Sequence, residues 1–548
     1  MPFCIEWWNA TKIVEVGKAD SRSFADHQCG RCSKRPLFDV ARTGDAPKNA
    51  GEFALGTKRG YDGIIVPDLT LAKIECGIKA TARSAHRPVL RIELSIVSEV
   101  LIMHRSCVSA ACLVITLLTA PIVMATEEPA NIVLIMADDV GYECFSSYGS
   151  KTFSTPVLDG LAADGIRFEN CHSTPLCTPS RVNLMSGKSN VHNYQDFGIY
   201  PKGEPTFANH FRNFGYSTAV AGKWQLAGKD RGVLPDEAGF DTHCLWNIPG
   251  SERPRYWDPS YVQDGTTLKL PAGTYGPDVM TDFIIDFIVK NKDQPFLAYY
   301  PMVLVHNPFP PTPDSVDRNE KDNVSNFIDM VSYMDKCVGR IVDALDDNGL
   351  RDNTLLIFTG DNGTNHVLTY PYQGRSFTGG KGFTYDHGTH VPLIANWPGK
   401  IPAGQLNNDL ICFSDFFPTI VEAAGLQPKK ITDGDGQSFW PQLQGKTGNT
   451  RDWIYGYYFP RPYAQKFDEM YNHWEVRYAR DKQFKLYGNG ELYDTVTDVM
   501  ERDVISVSQD TNKSKRARIE LQTVLDSYPM KGRAVDRTRV KGVRKQAR

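Results

Sequence analysis

The sequence predicts an α/β fold: a large, mostly parallel central sheet with helices on both faces, followed by a small C-terminal antiparallel α+β domain. Three runs, NIVLIMADD, PFLAYYPMVLVH and NTLLIFTGDNG, have the continuous hydrophobicity that is typical of buried parallel strands. Helical segments lie between them, namely DVMTDFIIDFIVKN and residues 324–348. Strands that alternate with helices indicate a parallel sheet that is covered on both faces.

The pattern changes to short alternating strands from about Arg451. The segments YGYYF and EVRYARDKQFKLYGNGELYDTV have the two-residue period of a half-buried strand, and Asn489-Gly490 predicts a two-residue hairpin turn. We therefore expect a main α/β domain over 126–448 and an antiparallel domain over 449–530. The last segment, 531–548, is basic and lacks apolar periodicity, which favours a disordered, solvated tail.

A short apolar segment begins at Met103 and reads MHRSCVSAACLVITLLTAPIVMATEE. Its basic start, apolar centre and small-residue end are typical of a secretory signal peptide, which we place at 103–125. The alternatives are a buried helix or a membrane anchor, but the run is short for a membrane span. We expect an exported protein, periplasmic or secreted, without stable membrane insertion, and we interpret 1–102 as a non-native extension before the true start.

Composition excludes several classes of function. The formal net charge is -3, so the chain lacks the strongly basic surface that nucleic-acid-binding proteins need, and we expect no nucleic acid as a partner. Twelve cysteines in 548 residues are too few for a disulfide scaffold, and they lack the paired spacing of a zinc site. The composition is that of an ordinary globular protein.

Acidic and amide side chains follow two of the predicted strands at the point where each strand ends. Asp138 and Asp139 follow the first strand, and Asp361 and Asn362 follow a strand more than two hundred residues later. If these strands are neighbours, the side chains meet at the carboxyl edge of the sheet, where like-charge repulsion requires a cation between them. Hard oxygen ligands favour calcium, with magnesium as the second choice.

The segment LCTPSRVNLMSG places a cysteine at the start of a predicted helix. Pro179 favours a helix that begins within a residue or two of it, which puts Cys177 at the helix N-terminus and Arg181 one turn later on the same face. An unmodified Cys177 there is expected to be a thiolate of lowered pKa, a plausible nucleophile. However, no base lies nearby in the sequence, and an exported thiolate is prone to oxidation.

The CTPSR segment resembles the C-x-P-S-R signature of the type I sulfatases, the arylsulfatase family within the alkaline phosphatase-like superfamily. The resemblance continues through GYSTAVAGKWQLAG, VLVHNP, TGDNG, GGKG, VPLIANWPG and ELYDTVTDVMERD, in the family's order. It extends from Asn131 to about Val504. The chain therefore resembles enzymes that hydrolyse sulfate esters.

The resemblance implies a mechanism. A dedicated formylglycine-generating enzyme oxidises the cysteine, here Cys177, to Cα-formylglycine, whose hydrated aldehyde is the nucleophile. Arg181 then steadies this hydrate, Lys223 and Lys381 bind sulfate oxygens, and after transfer the second hydroxyl of the hydrate collapses to the aldehyde and expels sulfate. His306 is expected to donate a hydrogen bond or proton to the departing oxygen. The implied calcium ligands are Asp138, Asp139, Cys177, Asp361 and Asn362.

Two segments depart from the family's pattern. The family's K-W-H-L segment has Gln225 in place of its histidine, and glutamine donates a hydrogen bond but carries neither a proton nor a positive charge. The family's acidic-Gly-Gly-x-Arg segment reads DHGTH here, which predicts a different rim to the substrate pocket. We expect Gln225 to contact substrate and place His366, His387 and His390 near this rim, with solvated loop histidines as the alternative.

Three functions remain open. The first is a sulfate ester hydrolase that acts on a sulfated carbohydrate or an aryl sulfate. The second is a phosphonate or phosphate ester hydrolase of the same superfamily, since sulfate esters and phosphate diesters share shape and charge. The third is an inactive protein that binds sulfated glycans, which only Gln225 and the basic tail suggest.

Overall fold

The structure is a computed structural model, and it describes residues 128–252, 254–426, 434–461 and 475–528. The predictions for 1–102, 103–125 and 531–548 concern residues outside these ranges. Within the ranges, every helix is too short or too polar to cross a lipid bilayer.

The described residues form three sheets. Their strands are β1 (Asn131–Ala137), β2 (Ile166–His172), β3 (Ser217–Lys223), β4 (Thr242–Trp246), β5 (Val262–Gln263), β6 (Thr266–Thr267), β7 (Phe296–Pro301), β8 (Thr354–Gly360), β9 (Thr369–Tyr372), β10 (Arg375–Thr378), β11 (His390–Asn396), β12 (Gln405–Cys412), β13 (Ile454–Tyr458), β14 (Val476–Arg480), β15 (Phe484–Tyr487) and β16 (Leu492–Asp494). The ten-stranded central sheet has the order β12-β2-β11-β8-β1-β7-β3-β4-β5-β6. Strands β9 and β10 pair separately, and β13 to β16 form the third sheet in sequence order.

Helices cover both faces of the central sheet, as the sequence predicted. The described α-helices are α1 (Pro156–Ala163), α2 (Cys177–Ser186), α3 (Asn190–Asn193), α4 (Phe207–Asn213), α5 (Gly276–Lys290), α6 (Asn323–Asp347), α7 (Asp386–Thr389), α8 (Phe416–Ala423), α9 (Trp440–Leu443) and α10 (Asn512–Ser527). Successive residues of β1 point to opposite faces. Val133 and Ile135 join the core under α5 and α6, whereas Ile132 and Leu134 join the core under α2, α4 and α8.

The centre of the sheet is parallel, and its flanks are mixed. Strand β1 pairs in parallel with both β7 and β8, which are the strands of the two other predicted apolar runs. Strand β11 is antiparallel to both of its neighbours, β2 and β8, and the edge from β4 to β6 is antiparallel. The predicted α/β class is therefore confirmed, with an antiparallel strand inserted among the parallel ones.

The small C-terminal sheet is antiparallel throughout, and α10 packs on it. The predicted hairpin at Asn489-Gly490 exists, but the prediction of a two-residue turn was wrong. The N–H of Tyr487 donates to the carbonyl of Glu491, and the N–H of Gly490 donates to the carbonyl of Tyr487. The loop therefore has three residues, and Gly490 takes the left-handed conformation (φ +87°) that ends it.

Candidate active site

The carboxyl ends of β1 and β8 coincide at the centre of the sheet. Ala137 and Gly360 are register partners, so the aspartates after β1 and the residues after β8 leave the sheet side by side. The backbone N–H of Asp139 donates to Asp361 Oδ1 (3.0 Å), and Asn362 Nδ2 donates to Asp139 Oδ1 (2.9 Å). The structure thus brings Asp138, Asp139, Asp361 and Asn362 together, and their side chains are fully buried.

Each of the three carboxylates is paired with a buried cation. Lys223, the last residue of β3, donates to both oxygens of Asp138 (2.8 Å each). Lys381 Nζ lies 2.5 Å from Asp139 Oδ2.

The third pair involves the helix that begins at the cysteine. Arg181 donates from Nη2 to Asp361 Oδ2 (3.0 Å) and from Nη1 to the carbonyl of Lys223 (2.7 Å). The three cations named by the family resemblance therefore converge on the carboxylates that follow β1 and β8.

The carboxylates differ in their affinity for protons. Burial alone would raise the pKa of Asp138, but Lys223 and the other cations around it hold that pKa far below its ordinary value. The pKa of Asp139 is also lowered against burial, by His306 in its protonated form and by Lys381. Burial and the charge of Asp138 raise the pKa of Asp361 to about 7, although Arg181 opposes this. The third negative charge is therefore unfavourable in this cluster.

Cys177 is the first residue of α2, which begins where Pro179 predicted. Its thiol is buried and donates to Gln225 Oε1, with Sγ and Oε1 2.8 Å apart. The expectation of a lowered pKa was wrong, because burial raises the pKa of the Cys177 thiol and outweighs the lowering by Lys223. An unmodified Cys177 is a neutral thiol here, not a thiolate.

His306 lies in the loop after β7, since that strand ends at Pro301 and not at the histidine. Its Nδ1 lies 2.6 Å from the carbonyl of Asn307, which only accepts, so Nδ1 carries the hydrogen. Its Nε2 lies 3.6 Å from Asp139 Oδ2, and burial lowers the pKa of His306 to about 3. The ring is therefore neutral, with the lone pair at Nε2.

This placement gives His306 a second possible role. Single ligand atoms of His306, Asp138 and Asp139 all lie within 4.8 Å of one another, close enough to hold one metal ion. This role could not be read from the sequence, because His306 follows a third strand and no spacing links it to either aspartate pair.

The rings of His387 and His390 make contacts within the protein, and their place at the rim of the substrate pocket stays a prediction. The His387 ring stacks on Phe377 at 3.9 Å, and its Nδ1 contacts the carbonyl of Thr378 (2.9 Å). His390 uses both ring nitrogens within the protein, on Asp386 (3.0 Å) and on the carbonyl of Glu169 (2.8 Å).

The DHGTH segment connects the two larger sheets. Asp386 contacts Arg480 of β14 at 3.2 Å as well as His390. The His366 ring lies edge-on to Phe383, with ring centroids 6.2 Å apart, next to the loop that carries Lys381.

A cleft of about 1010 Å³ opens beside the carboxylates. Lys223, Gln225 and His306 line it, together with Trp246 and Arg255. Arg255 lies in an irregular segment without a motif, so the sequence alone does not single it out. Only the fold shows that this segment returns to the carboxyl edge of the sheet.

The comparisons with known proteins agree on one family. The profile of the family described as Sulfatase matches residues 130–426, which is more than half of the chain. The chain belongs to the sulfatase family. A second profile, N-sulphoglucosamine sulphohydrolase, C-terminal, matches residues 377–527 of this sulfatase. Members of the family are sulfuric ester hydrolases.

Among curated relatives, arylsulfatase A of Homo sapiens is 31% identical over 380 residues, which cover 61% of this sulfatase and 71% of the relative. N-acetylgalactosamine-6-sulfatase of Canis lupus familiaris is 29% identical over 353 residues, which cover 58% of this chain and 66% of the relative, slightly under two thirds. A solved protein in complex with its substrate D-glucosamine-2-N,6-O-disulfate has a TM-score of 0.60 at 22% identity, covering 73% of this chain and 98% of that one. At that identity the likeness shows the shared fold.

Proposed function

We propose that this chain hydrolyses sulfate esters of carbohydrates, with a formylglycine formed from Cys177 and a bound calcium ion. The observation that carries the proposal is the position of Cys177. It stands at the N-terminus of α2 with Lys223 and Gln225 beside it, facing the point where β1 and β8 deliver their carboxylates. A nucleophile, cations for an anionic substrate and oxygen donors for a metal therefore share one site.

The state of Cys177 supports a modified nucleophile. A buried thiol of raised pKa is a weak nucleophile at neutral pH, because the thiolate is the reactive form. Conversion to formylglycine removes this limit, since the hydrated aldehyde supplies a hydroxyl nucleophile in place of sulfur. Gln225 Oε1, which accepts from the thiol, is placed to accept from a hydroxyl at the same position.

The cations suit a sulfate ester, which is an anion. Lys223 and Lys381 lie almost fully buried beside the aspartates, where a positive charge acts more strongly than in water. In this role they bind sulfate oxygens and stabilise the charge that develops during transfer. Arg181 bridges Asp361 and the carbonyl of Lys223, and so orients the strand that carries this lysine.

The carboxylates and the amide fit a hard divalent cation. Asn362 Oδ1 is buried and accepts no hydrogen bond from the described residues, although a buried carbonyl oxygen normally has a partner. Burial and the charge of Asp138 raise the pKa of Asp361, and a bound cation would favour its charged form. Asp138, Asp139, Asp361 and Asn362, with residue 177, would hold calcium in preference to magnesium. Bound calcium supplies a Lewis acid for the sulfate and for the nucleophile.

His306 lies on the cleft side of the site, where the departing alcohol would leave. We assign it the role of hydrogen-bond donor to that oxygen. Donation from Nε2 requires a second proton on the ring, because Nδ1 already donates to Asn307. Substrate that brings negative charge to Nε2 favours this proton.

The size and lining of the cleft support a carbohydrate substrate. A volume of about 1010 Å³ exceeds what a sulfate group alone needs and accommodates sugar rings. The relatives that act on N-acetylgalactosamine 6-sulfate and the neighbour bound to a disulfated glucosamine give this class a precedent. His366 remains a candidate contact near the Lys381 loop.

Maturation and export belong to the same proposal. The chain requires a formylglycine-generating enzyme as a transient partner, and the signal-like segment 103–125 favours export. Sequencing the N-terminus of the secreted protein tests the second point, and a start near Met1 would contradict it.

The decisive experiment determines the state of Cys177. The chain is expressed with a formylglycine-generating enzyme, and the tryptic peptide FENCHSTPLCTPSR is fragmented in a mass spectrometer. We expect a loss of about 18 Da at Cys177 and none at Cys171, which is buried in β2 of the same peptide and serves as an internal control.

Activity is then measured on an aryl sulfate, an aryl phosphodiester and sulfated sugars, with and without calcium. Preferred turnover of sulfate esters by the converted protein supports the proposal. Preferred turnover of the phosphodiester would move the chain to the related phosphoesterases. A converted protein that binds sulfated sugars without turnover would be a binding protein.

A further inference from the structure

Arg255 is a cation of the site that the family motifs do not include. Its Nη1 lies 3.8 Å from Asp138 Oδ2, close enough for charge attraction but too far for a hydrogen bond. The side chain is 13% exposed, while Asp138 is fully buried. The guanidinium therefore stands between the carboxylates and the open cleft.

The hydrogen-bonding state of Arg255 differs from that of the other cations. Lys223, Lys381 and Arg181 each donate to a carboxylate. The Nη1 atom of Arg255 is buried and has no hydrogen-bond partner among the described residues. A buried N–H group without a partner is costly, and at a ligand site it is explained by an acceptor that the ligand brings.

The position of Arg255 is set by the sheet. Its guanidinium lies over the indole of Trp246, 4.0 Å from the ring centroid, and Trp246 is the register partner of Lys223 in the β3–β4 pair. The indole is itself fixed, because its Nε1 donates to the carbonyl of Glu252 (3.1 Å). Lys223 and Trp246 lie on neighbouring strands, so Lys223 and the guanidinium that stacks on Trp246 approach the same carboxylate, that of Asp138.

Gln225 creates a need for such a cation. It occupies the position where the family has a histidine, and it uses its carbonyl oxygen on Cys177. A neutral amide cannot supply the positive charge that a protonated histidine brings to a sulfate oxygen. Arg255 lines the same cleft as Gln225 and carries a permanent charge with several donors.

We propose that Arg255 is a further substrate-contacting residue, whose guanidinium donates to an oxygen of the sulfuryl group being transferred and supplies the cationic donor that Gln225 cannot. This inference rests on the proposed hydrolysis of sulfate esters. It assigns Arg255 to the reacting sulfate and not to a second anionic group of the substrate.

The test uses Arg255→Met, Arg255→Lys and the matched control Arg318→Met. Arg318 also stacks on a tryptophan, Trp257, at 4.3 Å, but it donates to the carbonyl of Pro313 and pairs with no carboxylate of the site. The substrate is 4-nitrophenyl sulfate, whose only anionic group is the sulfate. Binding of inorganic sulfate is measured by calorimetry on the same proteins.

We expect Arg255→Met to lower kcat/KM by about 100-fold and to weaken the binding of inorganic sulfate, with formylglycine content and thermal midpoint unchanged. Arg255→Lys should recover part of both, and Arg318→Met should match the wild type. Gln225→His should raise activity more in the Arg255→Met background than in the wild type, because the two cations substitute for each other.

The inference is overturned if Arg255→Met binds inorganic sulfate and turns over 4-nitrophenyl sulfate like the wild type. It is also overturned if kcat/KM falls only with a disulfated sugar as substrate, since Arg255 would then bind a second anionic group and not the reacting sulfate. If the converted wild type hydrolyses no sulfate ester, the proposed function fails, and the sulfate-binding comparison still decides the role of Arg255.

Discussion

At the scale of single residues, the sequence predicts the position of Cys177 but not its protonation state. Its place at the start of α2 follows from Pro179 and can be read from the sequence. Its pKa cannot be read this way, because burial depends on residues that approach from β3 and from the loop of Lys381. The helix N-terminus alone suggests a thiolate, and the folded chain gives a neutral thiol.

A Cys177→Ser variant tests the proposed nucleophile. We expect turnover to fall by at least about 1000-fold, because a serine that has accepted a sulfuryl group lacks the second hydroxyl whose collapse expels sulfate. The measurement is steady-state turnover of 4-nitrophenyl sulfate after expression with a formylglycine-generating enzyme. Cys412→Ser is the matched control, since Cys412 is another free cysteine whose Sγ lies 3.1 Å from a serine hydroxyl, and it should retain full activity. Wild-type rates from Cys177→Ser would contradict a modified cysteine.

The site residues that could be predicted from the sequence belong to motifs that occur in the family's order. Lys223 and Lys381 lie at the carboxyl edge of the sheet, where they pair with Asp138 and Asp139, and their binding of sulfate oxygens stays a prediction. Arg255 and the ligand position of His306 were not predictable, since each depends on how an irregular segment returns to that edge. The contacts of the DHGTH histidines with Phe377 and Glu169 could not be read from the motif, since neither partner belongs to it.

At the scale of elements, the C-terminal sheet holds the loop that carries Lys381. Tyr487 of β15 contacts Thr384 through their hydroxyl groups (2.9 Å) and donates to Glu501. Lys485, on the same strand, donates to the carbonyl of Thr384 and pairs with Glu501 at 2.8 Å. This buried polar network fixes a segment three residues from Lys381.

A Tyr487→Phe variant tests this coupling. We expect kcat/KM for 4-nitrophenyl sulfate to fall by roughly 3- to 10-fold, because loss of about 1 kcal/mol of hydrogen bonding lets the Lys381 loop move. Tyr493→Phe is the control on the adjacent strand, where the hydroxyl donates to Glu491. The two variants are compared by kinetics and by thermal melting. Equal kinetics at equal thermal midpoints would show that β15 does not position the lysine.

A second element contact predicts a pH dependence of stability. Asp335 of α6 accepts from the backbone N–H groups of Val157 and Leu158 (2.9 Å each) at the start of α1. Burial nevertheless raises its pKa from an ordinary value of 3.8 to about 6. Between these values the folded state keeps a proton that the unfolded state has released. The contribution of Asp335 to the free energy of unfolding is therefore full below about pH 4, and it falls by about 3 kcal/mol as the pH rises past 6.

The measurement is the difference in unfolding free energy between wild type and Asp335→Asn from pH 4 to pH 7. Asparagine accepts from one of the two N–H groups and so costs a constant amount, but it does not titrate. The advantage of the wild type should therefore shrink as pH rises. Asp343→Asn, at an exposed position of the same helix, is the control for replacing an aspartate of α6 by asparagine. A flat difference for Asp335→Asn would refute the assignment.

The elements themselves were predictable where apolar runs are long. β1, β8, α5 and α6 lie within a few residues of their predicted segments, since burial on both faces or on one stripe leaves a strong pattern. The direction of β11 was not predictable, because an apolar run looks the same in a parallel and an antiparallel strand. The end of β7 was misjudged for a different reason. The apolar residues after Pro301 are buried in a loop, and a buried loop and a buried strand have the same apolar pattern.

At the scale of the whole molecule, the proposed metal site is part of the central sheet. Its candidate ligands leave β1 and β8, which lie next to each other at the middle of ten strands. These ligands come together only when the sheet is formed, because more than two hundred residues separate Asp139 from Asp361. A cation bound there stabilises the folded chain and not the unfolded one.

Calcium should therefore stabilise the whole molecule. At one hundred times its dissociation constant, calcium adds about 2.7 kcal/mol to the free energy of unfolding, and a chelator removes this gain. Magnesium at equal ionic strength should add less, because it keeps its water ligands. The measurement is the unfolding midpoint of the wild type, Asp139→Asn and Asp286→Asn over a calcium titration. Asp286 is an exposed acid of α5, so its variant should respond like the wild type, whereas Asp139→Asn should lose the response. A wild-type midpoint that ignores calcium, or an Asp139→Asn midpoint that still follows it, would rule out a metal site at the ends of β1 and β8.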